Sequence, residues 1–363
     1  MLTGKNLIIL HSKCNSMCGM LRRLAYQQLS ASGATGSIEF VVSPEVVRDE
    51  YVLSHTVAVV IGRPIGNGCK DFVSYYGRIK KKYGIRIIID YDDCLWDING
   101  KSLLPHYNPV KTDPVYAAGG IEESLKYVDD VTLSTIFLAR CWHTRFGMDT
   151  HVSVVPNMLP RMWYGQRKHR ITENLAKPKV VYGGSPTHYT DSSVGDFVGP
   201  WVPWLIDAVN NDKIELHMFG YQVTAEFLKP IADKIILHDP APACEWGSAL
   251  RDVEGDIYIA PLEDNLFNSC KSNLKLLEAS ACGMVLLGSH WADGPYDEAH
   301  PMSKIDNSWS VDQLQSRVDA VCDKDTYNDI MQFQEELIAK YWLENNTNLT
   351  QVLRVWCGSS LET

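Results

Sequence analysis

The feature that most constrains the fold of this chain is the stretch at residues 256–289. It reads DIYIAPLEDN, then LFNSCKSNLKLLEASACG, then MVLLGS. Two short apolar runs therefore flank a polar loop and a segment with helical spacing. This order indicates parallel strands, because two parallel strands need a long crossover connection, which is usually a helix. The stretch predicts a βαβ unit within a sheet that is buried on both faces.

The rest of the chain shows the same alternation of short apolar runs and helical segments. In the first half we predict strands at 6–10, 39–42, 56–61, 86–90, 130–134 and 151–155, with helices at 19–30, 69–83, 121–127 and 135–146. In the second half we predict further strands at 179–182, 214–219 and 234–237, with helices at 197–210, 244–251, 311–323, 327–343 and 349–356. Such alternation is typical of doubly wound parallel sheets with helices on both faces.

A polar and basic segment bounded by prolines, at residues 158–178, separates the two halves and has the composition of a linker. A chain of 363 residues, 45% of them hydrophobic, is long enough to bury two cores. We therefore predict an α/β protein with two tandem Rossmann-like domains, the first at residues 1–165 and the second at residues 175–345.

The predicted helix within the opening stretch begins near Ser272 and combines a lysine pair with a carboxylate. Free backbone N–H groups at a helix N-terminus, with Lys271 or Lys275 nearby, form a site for an anion. Lys275 and Glu278 are three residues apart and share a helix face. A diphosphate on the helix end and a lysine, with ribose hydroxyls on Glu278, would suit a sugar nucleotide. An ordinary βαβ unit with a solvated polar face is the alternative.

The same stretch resembles the donor-site signature of GT-B glycosyltransferases, in particular the retaining group called family 4, whose members often show the pattern FNxxKSxLKxxE. The residues that fit are Phe267, Asn268, Lys271, Ser272, Leu274, Lys275, Glu278, Gly283 and Ser289. The donor-binding residues that the resemblance implies here are Lys271, Ser272, Asn273, Leu274, Lys275 and Glu278. The common form of the family has an acid eight residues before the helix glutamate, where this chain has Cys270. The sugar contacts of that acid are therefore in question.

The resemblance also implies an architecture and a reaction. In GT-B enzymes a cleft lies between the carboxyl ends of the two sheets. The first domain binds the acceptor, the second binds the nucleotide sugar, and a last helix, here within residues 346–363, packs back on the first domain. The implied reaction moves a sugar from a donor, expected to be a UDP-sugar, to an acceptor hydroxyl. It retains the anomeric configuration and requires no metal ion or other cofactor.

A glycine pair and a histidine follow the first predicted strand of the second half, in the sequence GGSPTH. Two glycines at a strand end let the backbone approach a ligand closely, although a tight turn is the simpler explanation. In similar glycosyltransferases a strand–GSPTH–Asp pattern lies against the donor diphosphate and base. The matching residues here are Gly183, Gly184, Ser185, His188 and Asp191. A basic residue often found shortly afterwards is missing, so the phosphate charge falls to the two helix lysines, which the sequence does not rank.

The densest acidic cluster, DYDDCLWD at residues 90–97, directly follows a predicted buried strand. One interpretation is a DxD metal site of the GT-A class, with Asp90 and Asp92 on a divalent cation. A second is the DDxLW element of family-4-like enzymes, in which Asp92 or Asp93 would position an acceptor hydroxyl. A helix cap and a solvated loop is the third. We predict Asp92, Asp93 and Lys271 as catalytic residues, and no metal ligands.

Three residues of the first half follow predicted strands and are expected on the acceptor side. Gly19 and Arg22 come after the strand at 6–10, where family members often have a glycine-rich loop that touches the acceptor and the donor phosphate. Arg63 comes after the strand at 56–61. For each arginine, an ordinary surface position is the default explanation.

The charges are divided unevenly between the two halves. Residues 1–170 contain 21 Lys and Arg against 15 Asp and Glu, whereas residues 171–363 contain 13 against 29. The basic half indicates an anionic acceptor, either DNA with hydroxymethylated bases, as in some bacterial viruses, or a phosphate-rich cell-envelope glycan. The net charge of −10 opposes strong non-specific binding to nucleic acid. Scattered surface lysines are the alternative explanation.

Two functions from other classes share the predicted fold. A sugar-nucleotide epimerase would release free sugar and nucleotide without an acceptor, and a non-catalytic module would only bind the nucleotide sugar. Ten cysteines without a paired spacing indicate a reduced, cytoplasmic protein. No apolar run has the length that a membrane-spanning helix needs. The sequence does not predict an oligomeric state.

Overall fold

The computed structural model of the chain describes residues 6–11, 20–64, 69–96, 114–184, 188–189, 193–219 and 225–358. Within these residues the strands form two six-stranded sheets. Every strand pair in both sheets is parallel. This confirms the predicted fold class, two α/β domains that each contain a parallel sheet.

The first sheet is formed by apolar runs such as VAVVI and IIID, because helices cover both of its faces. Its strands are β1 (Leu7–His11), β2 (Glu39–Ser43), β3 (Thr56–Gly62), β4 (Arg86–Tyr91), β5 (Asp130–Leu133) and β6 (Val152–Val154), in the order β2-β1-β3-β4-β5-β6. Its helices are α1 (Ala25–Ala31), α2 (Glu50–His55), α3 (Ser74–Tyr83), α4 (Pro114–Leu125) and α5 (Ile136–Phe146), with π-helical turns at Met20–Leu24 and Cys69–Val73.

The second sheet follows a short linker helix, α6 (Arg161–Tyr164). Its strands are β7 (Lys179–Gly183), β8 (Glu215–Phe219), β9 (Ile236–His238), β10 (Ile257–Ala260), β11 (Val285–Ser289) and β12 (Lys304–Ile305), in the order β12-β11-β10-β7-β8-β9. The helices after α6 are α7 (Trp201–Asn210), α8 (Ala243–Asp252), α9 (Leu266–Ser269), α10 (Leu274–Cys282), α11 (Val311–Val321), α12 (Lys324–Ile338) and α13 (Asn346–Cys357), with 3-10 turns at Glu226–Lys234 and Pro301–Ser303.

Several predicted boundaries were wrong, each for a physical reason. The helix predicted at 121–127 is α4, which begins at Pro114. Two glycines in its middle have poor helix propensity, and the fold overrides that preference. The helix predicted at 197–210 begins only at Trp201, because Pro200 occupies the cap position before it. Neither α2 nor the 3-10 turn at Glu226–Lys234 was predicted, since both are short and lack a long periodic pattern.

The last helix, α13, packs against strands β3 and β4 of the first sheet. Its Trp356 is 1% exposed, and its ring centroid lies 5.1 Å from that of Tyr26 and 5.9 Å from that of Phe40. Burial of a large aromatic side chain contributes several kcal/mol to stability. The chain therefore returns to the first domain after completing the second, and Trp356 anchors that return.

We predict that Trp356→Ala lowers the free energy of unfolding by about 3–5 kcal/mol, because it leaves a cavity between α13 and the first sheet. Urea denaturation followed by circular dichroism measures the change. Tyr51→Ala is the matched control, since Tyr51 is 73% exposed and its truncation should cost within about 0.5 kcal/mol. Equal losses in the two variants would show that α13 does not depend on Trp356.

Candidate active site

Segments that follow the carboxyl ends of strands in the two sheets contact each other through direct hydrogen bonds, and we call the boundary between them the cleft. Thr135, which caps α5 in the first domain, donates to the backbone oxygen of Cys270 at 3.2 Å. Asn157 Nδ2 donates to Ser272 Oγ at 2.8 Å. These contacts bring the segment before α10 against the first domain. The predicted donor-site residues therefore lie where ligands of parallel α/β sheets bind.

The two lysines of the predicted donor site differ in their surroundings. Lys275 Nζ lies 3.0 Å from Glu278 Oε2 and 3.1 Å from the Tyr258 hydroxyl. Lys271 Nζ lies 5.2 Å from the ring centroid of Phe267, and within the described part of the chain it forms no ion pair. The charge of Lys275 is thus already balanced by a carboxylate, whereas that of Lys271 is not.

Helix α10 begins at Leu274 without a side-chain cap, because its cap residue, Asn273, makes no side-chain hydrogen bond to the first turn. Asn273 Nδ2 instead donates to Glu298 at 3.0 Å. The first N–H groups of a helix have no partner within the helix. Together with Lys271 they concentrate positive charge at the helix N-terminus.

Glu278 lies at the centre of a buried network of donors. The residue is 0% exposed. Its Oε1 accepts hydrogen bonds from Trp246 Nε1 at 2.9 Å and the Tyr164 hydroxyl at 3.1 Å, and its Oε2 accepts from the Tyr258 hydroxyl at 3.2 Å and from Lys275. Both oxygens thus have two protein partners. Binding of ribose hydroxyls by Glu278 stays a prediction, and this arrangement does not support it.

The loop after β7 brings a histidine to the cleft. His188 Nδ1 lies 2.7 Å from Asp196 Oδ2.

Gly183, at the end of β7, packs so tightly that an added Cβ would lie 2.6 Å from the Tyr258 hydroxyl and 2.7 Å from the Trp246 ring. At Gly184 an added Cβ would clash with the Tyr182 hydroxyl. The glycines are therefore required by internal packing. The predicted donor contact Ser185, and Asp191 with it, lie outside the described residues.

Asp90 binds two arginines at the end of β4. Arg22 Nε and Arg23 Nη2 each lie 2.8 Å from Asp90 Oδ2, and Arg22 Nη2 contacts Oδ1. Burial alone would raise the pKa of Asp90, but the charges of the two arginines outweigh it and hold that pKa well below its ordinary value. Both carboxylate oxygens are thus occupied. The alternative in which Asp90 and Asp92 bind a divalent cation does not fit this geometry.

Arg22 was predicted to contact the acceptor, but it is 5% exposed and directed into the protein. Besides Asp90, its Nη1 donates to the Val155 backbone oxygen at 2.8 Å and to Asn157 Oδ1 at 3.1 Å. These bonds use most of its five N–H groups. The structure gives Arg22 a role in packing, and an acceptor contact stays an unsupported prediction. The other residue predicted beside it, Gly19, lies outside the described residues.

Arg63 pairs with Asp92 and Asp93 of the acidic cluster. Its Nη2 donates to Asp92 Oδ2 at 2.7 Å and to Asp93 Oδ2 at 2.6 Å, and its side chain is 23% exposed. Burial raises the pKa of Asp93 above its ordinary value, against the opposing charges of Arg63 and Lys271. Asp93 in the first domain and Lys271 in the second are thus close enough for their charges to interact. The structure brings these predicted catalytic residues to one place.

Cys270 occupies the position at which the family signature has an acid, and its side chain is buried against the first domain. It is 0% exposed, and its Sγ lies 3.6 Å from Cys141 Sγ in the first domain. Burial and neighbouring thiols raise the pKa of Cys270, with the hydrogen bond to Cys94 as the largest cause. A neutral buried thiol cannot reproduce the hydrogen bonds that a carboxylate offers to a sugar.

Sequence reasoning missed Asp196 and the partners of Glu278. Asp196 lies eight residues after His188 in the same polar segment between a strand and a helix, so its proximity was a usable signal. Trp246 and Tyr258 lie in α8 and β10, and no local pattern indicates that they face Glu278.

Within the described residues no cluster of His, Cys, Asp and Glu has metal-binding geometry. None of the described helices has the length and apolar character to cross a bilayer.

The fold is similar to solved structures of GT-B glycosyltransferases. Sucrose-phosphate synthase from Thermosynechococcus elongatus has 11% identity and a TM-score of 0.58, with 96% of this chain and 98% of that chain covered. The lipopolysaccharide outer core galactosyltransferase WaaB, in its apo form, has 12% identity and a TM-score of 0.58, with 97% and 98% covered. Anabaena HepE in complex with UDP-glucose has 9% identity and a TM-score of 0.55, with 96% and 99% covered. No protein-family model and no curated protein matches the sequence.

We predict that Glu278→Ala lowers the free energy of unfolding by about 3–5 kcal/mol, because it leaves a lysine charge and buried donors without their acceptor. Urea denaturation of the purified variant measures the loss. Glu226→Ala provides the control, since Glu226 forms an exposed pair with Lys229 that should contribute less than about 1 kcal/mol. A loss no larger than that of the control would show that the Glu278 network is not formed.

We predict that Asp90→Asn destabilises the protein most at neutral pH. A carboxyl group whose pKa is lowered by folding stabilises the protein above its unfolded pKa, about 3.9, and this contribution is lost as the pH falls through the folded pKa. The difference in unfolding free energy between wild type and variant should therefore narrow below about pH 4. Urea denaturation at a series of pH values tests this, with the exposed Asp212→Asn as control. A difference in unfolding free energy that stays constant down to acid pH would contradict the ion pairs that we assign to Asp90.

Proposed function

We propose that this protein is a glycosyltransferase that moves a sugar from a nucleotide-sugar donor to an acceptor hydroxyl. The observation that carries the proposal is Lys271, a cation without an ion pair among the described residues, at the uncapped N-terminus of α10 and facing Asp93 across the cleft. A helix N-terminus beside a lysine suits a diphosphate. Carboxylates on the opposite wall suit a hydroxyl that must be oriented.

The donor diphosphate binds Lys271, Ser272 and the first backbone N–H groups of α10 in this proposal. These groups supply positive charge where negative charge develops as the bond between the sugar and the diphosphate breaks. Lys275 has a different role in this proposal, because it pairs with the buried Glu278 beneath the donor site. Lys271 is therefore the lysine that we assign to the leaving diphosphate, with His188 beside it.

We propose a UDP-sugar as the donor, because HepE, which has a similar fold, is described in complex with UDP and with UDP-glucose. The reaction breaks the bond between the anomeric carbon and the diphosphate oxygen and forms a bond from that carbon to the acceptor oxygen. In a retaining, metal-independent mechanism a donor phosphate oxygen takes the acceptor proton. Asp92 and Asp93, held by Arg63, then position the acceptor hydroxyl.

The acceptor in this proposal is anionic, and its support is the excess of 21 basic over 15 acidic side chains in residues 1–170. DNA with hydroxymethylated bases and a phosphate-rich glycan both meet this description. A duplex acceptor would require the modified base to leave the stack. Arg63 is the predicted acceptor contact with the most exposure among those described, and it pairs with Asp92 and Asp93, the residues to which we assign the acceptor hydroxyl.

We predict that Lys271→Ala weakens UDP binding by about tenfold to 150-fold, the equivalent of one charge-assisted hydrogen bond of about 1.5–3 kcal/mol. Isothermal titration calorimetry measures the dissociation constant. Lys229→Ala is the control, because Lys229 is exposed and pairs only with Glu226 among the described residues. If Lys271→Ala binds UDP as tightly as Lys229→Ala, the diphosphate does not lie at Lys271.

The same preparation tests the reaction with a panel of nucleotide sugars and the two acceptor classes. Transfer is recognised by a labelled sugar that becomes attached to the acceptor. Release of free sugar and nucleotide without an acceptor would identify the epimerase alternative. Binding without any turnover would favour the non-catalytic alternative, and no binding of any nucleotide or nucleotide sugar would contradict the proposed function.

A further inference from the structure

The imidazole of His188 and the carboxylate of Asp196 form a partly buried pair beside the carboxyl end of β7. Nδ1 of His188 lies 2.7 Å from Oδ2 of Asp196, and the two side chains are 17% and 13% exposed. Oδ1 of Asp196 accepts hydrogen bonds from Asn268 Nδ2 at 2.8 Å and from the Glu263 backbone N–H at 3.1 Å. The loop after β10 therefore fixes the carboxylate, and the carboxylate fixes the ring.

This pairing determines which nitrogen of His188 can gain a proton. Burial would raise the pKa of Asp196, but the hydrogen bond and the charge of His188 outweigh it, so that pKa lies below its ordinary value. An ionised carboxylate only accepts hydrogen bonds, so Nδ1 carries a hydrogen in both charge states of the ring. Nε2 is then the titrating atom. Within the described part of the chain, no hydrogen-bond partner lies at Nε2.

Four charged side chains from different parts of the fold interact electrostatically with the ring. Asp196 precedes α7, Lys271 precedes α10, Lys275 lies in the first turn of α10, and Asp93 lies across the cleft. Burial is the largest cause that lowers the pKa of His188, the two lysines lower it further, and Asp196 opposes them. The ring is therefore neutral at neutral pH when no anion occupies the site.

We propose that His188 takes up a proton when a diphosphate binds beside Lys271, and that Asp196 positions the ring so that the new N–H, at Nε2, donates to a phosphate oxygen. This inference rests on the proposed function, which places the donor diphosphate at Lys271. The negative charge of the ligand offsets the two lysines and favours the imidazolium form. The proton comes from solvent and returns to it when the diphosphate leaves.

The imidazolium would be a second cation, in addition to Lys271, next to the diphosphate whose developing negative charge must be stabilised. The departing diphosphate gains negative charge as its bond to the sugar breaks, and a donor already aimed at its oxygen stabilises that charge without reorganisation. His188 would touch the ligand directly. Asp196 acts through His188, as a positioning residue that sets the tautomer and supports the positive charge.

Isothermal titration calorimetry of the full-length protein with UDP tests this proposal. Each titration is repeated in buffers of different ionisation enthalpy between about pH 6.5 and pH 8, and the dependence of the heat on the buffer gives the protons taken up per UDP. The terminal phosphate of UDP itself titrates near about pH 6. His188→Gln provides the reference, because proton uptake by UDP still occurs in this variant, whereas uptake by the His188 ring cannot.

We expect wild type to take up more protons per UDP than His188→Gln, by at most one. Its affinity for UDP should fall with rising pH by up to about tenfold per pH unit relative to the variant. Asp196→Asn keeps an acceptor for Nδ1 but removes the negative charge, so it should bind UDP with a smaller proton uptake than wild type. His151→Gln, whose ring is exposed and pairs with Asp130 in the first domain, should leave the proton count unchanged.

The remaining outcomes would contradict the proton uptake, the role of Asp196 or the proposed function. Equal proton counts in wild type and His188→Gln, with UDP bound to both, would overturn the proton uptake and leave the proposed function standing. Undiminished uptake in Asp196→Asn would overturn the role of Asp196. If Asp196→Asn does not fold, His188→Gln alone decides whether the ring takes up the proton. Failure of UDP and of other nucleoside diphosphates to bind wild type would overturn the proposed function and this inference together.

Discussion

The buried ion pair of Asp90 with Arg22 anchors one of the connections between the two domains. Arg22 in turn donates to Asn157 at the end of the first domain, and Asn157 donates to Ser272, which lies just before α10. A continuous hydrogen-bonded path thus connects the first sheet with the N-terminus of α10. A buried charge that lost its partner would be costly, so the Asp90–Arg22 pair favours the arrangement in which this path is intact.

Two lysines four residues apart, one just before α10 and one in its first turn, differ in their surroundings because their neighbours differ. Lys275 is held by Glu278 and by the aromatic side chains around it, and its charge stabilises the interior. Lys271 precedes α10, its Nζ lies over the ring of Phe267, and its charge acts on Asp93 in the first domain and on His188 in the second. A ligand with concentrated negative charge would balance Lys271 at little cost to the fold.

The sequence predicted the sheets well because parallel strands buried on both faces are short apolar runs, which β3, β4 and β11 display. It also predicted, through the resemblance to GT-B enzymes, that Asp92, Asp93 and Lys271 belong to one catalytic site. It did not predict how their charges are balanced. The partners of Glu278 and Asp90 come from distant parts of the chain, and only the folded structure brings them together. The tight packing of Gly183 against Tyr258 is likewise a property of the fold alone.

A crystal structure of the protein with UDP would show directly whether the donor diphosphate binds at Lys271. We expect the diphosphate at the N-terminus of α10, with Lys271 Nζ and His188 Nε2 within hydrogen-bond distance of its oxygens and Asp93 on the opposite wall. UDP bound outside the cleft, or bound within it with the diphosphate directed away from Lys271, would contradict the account.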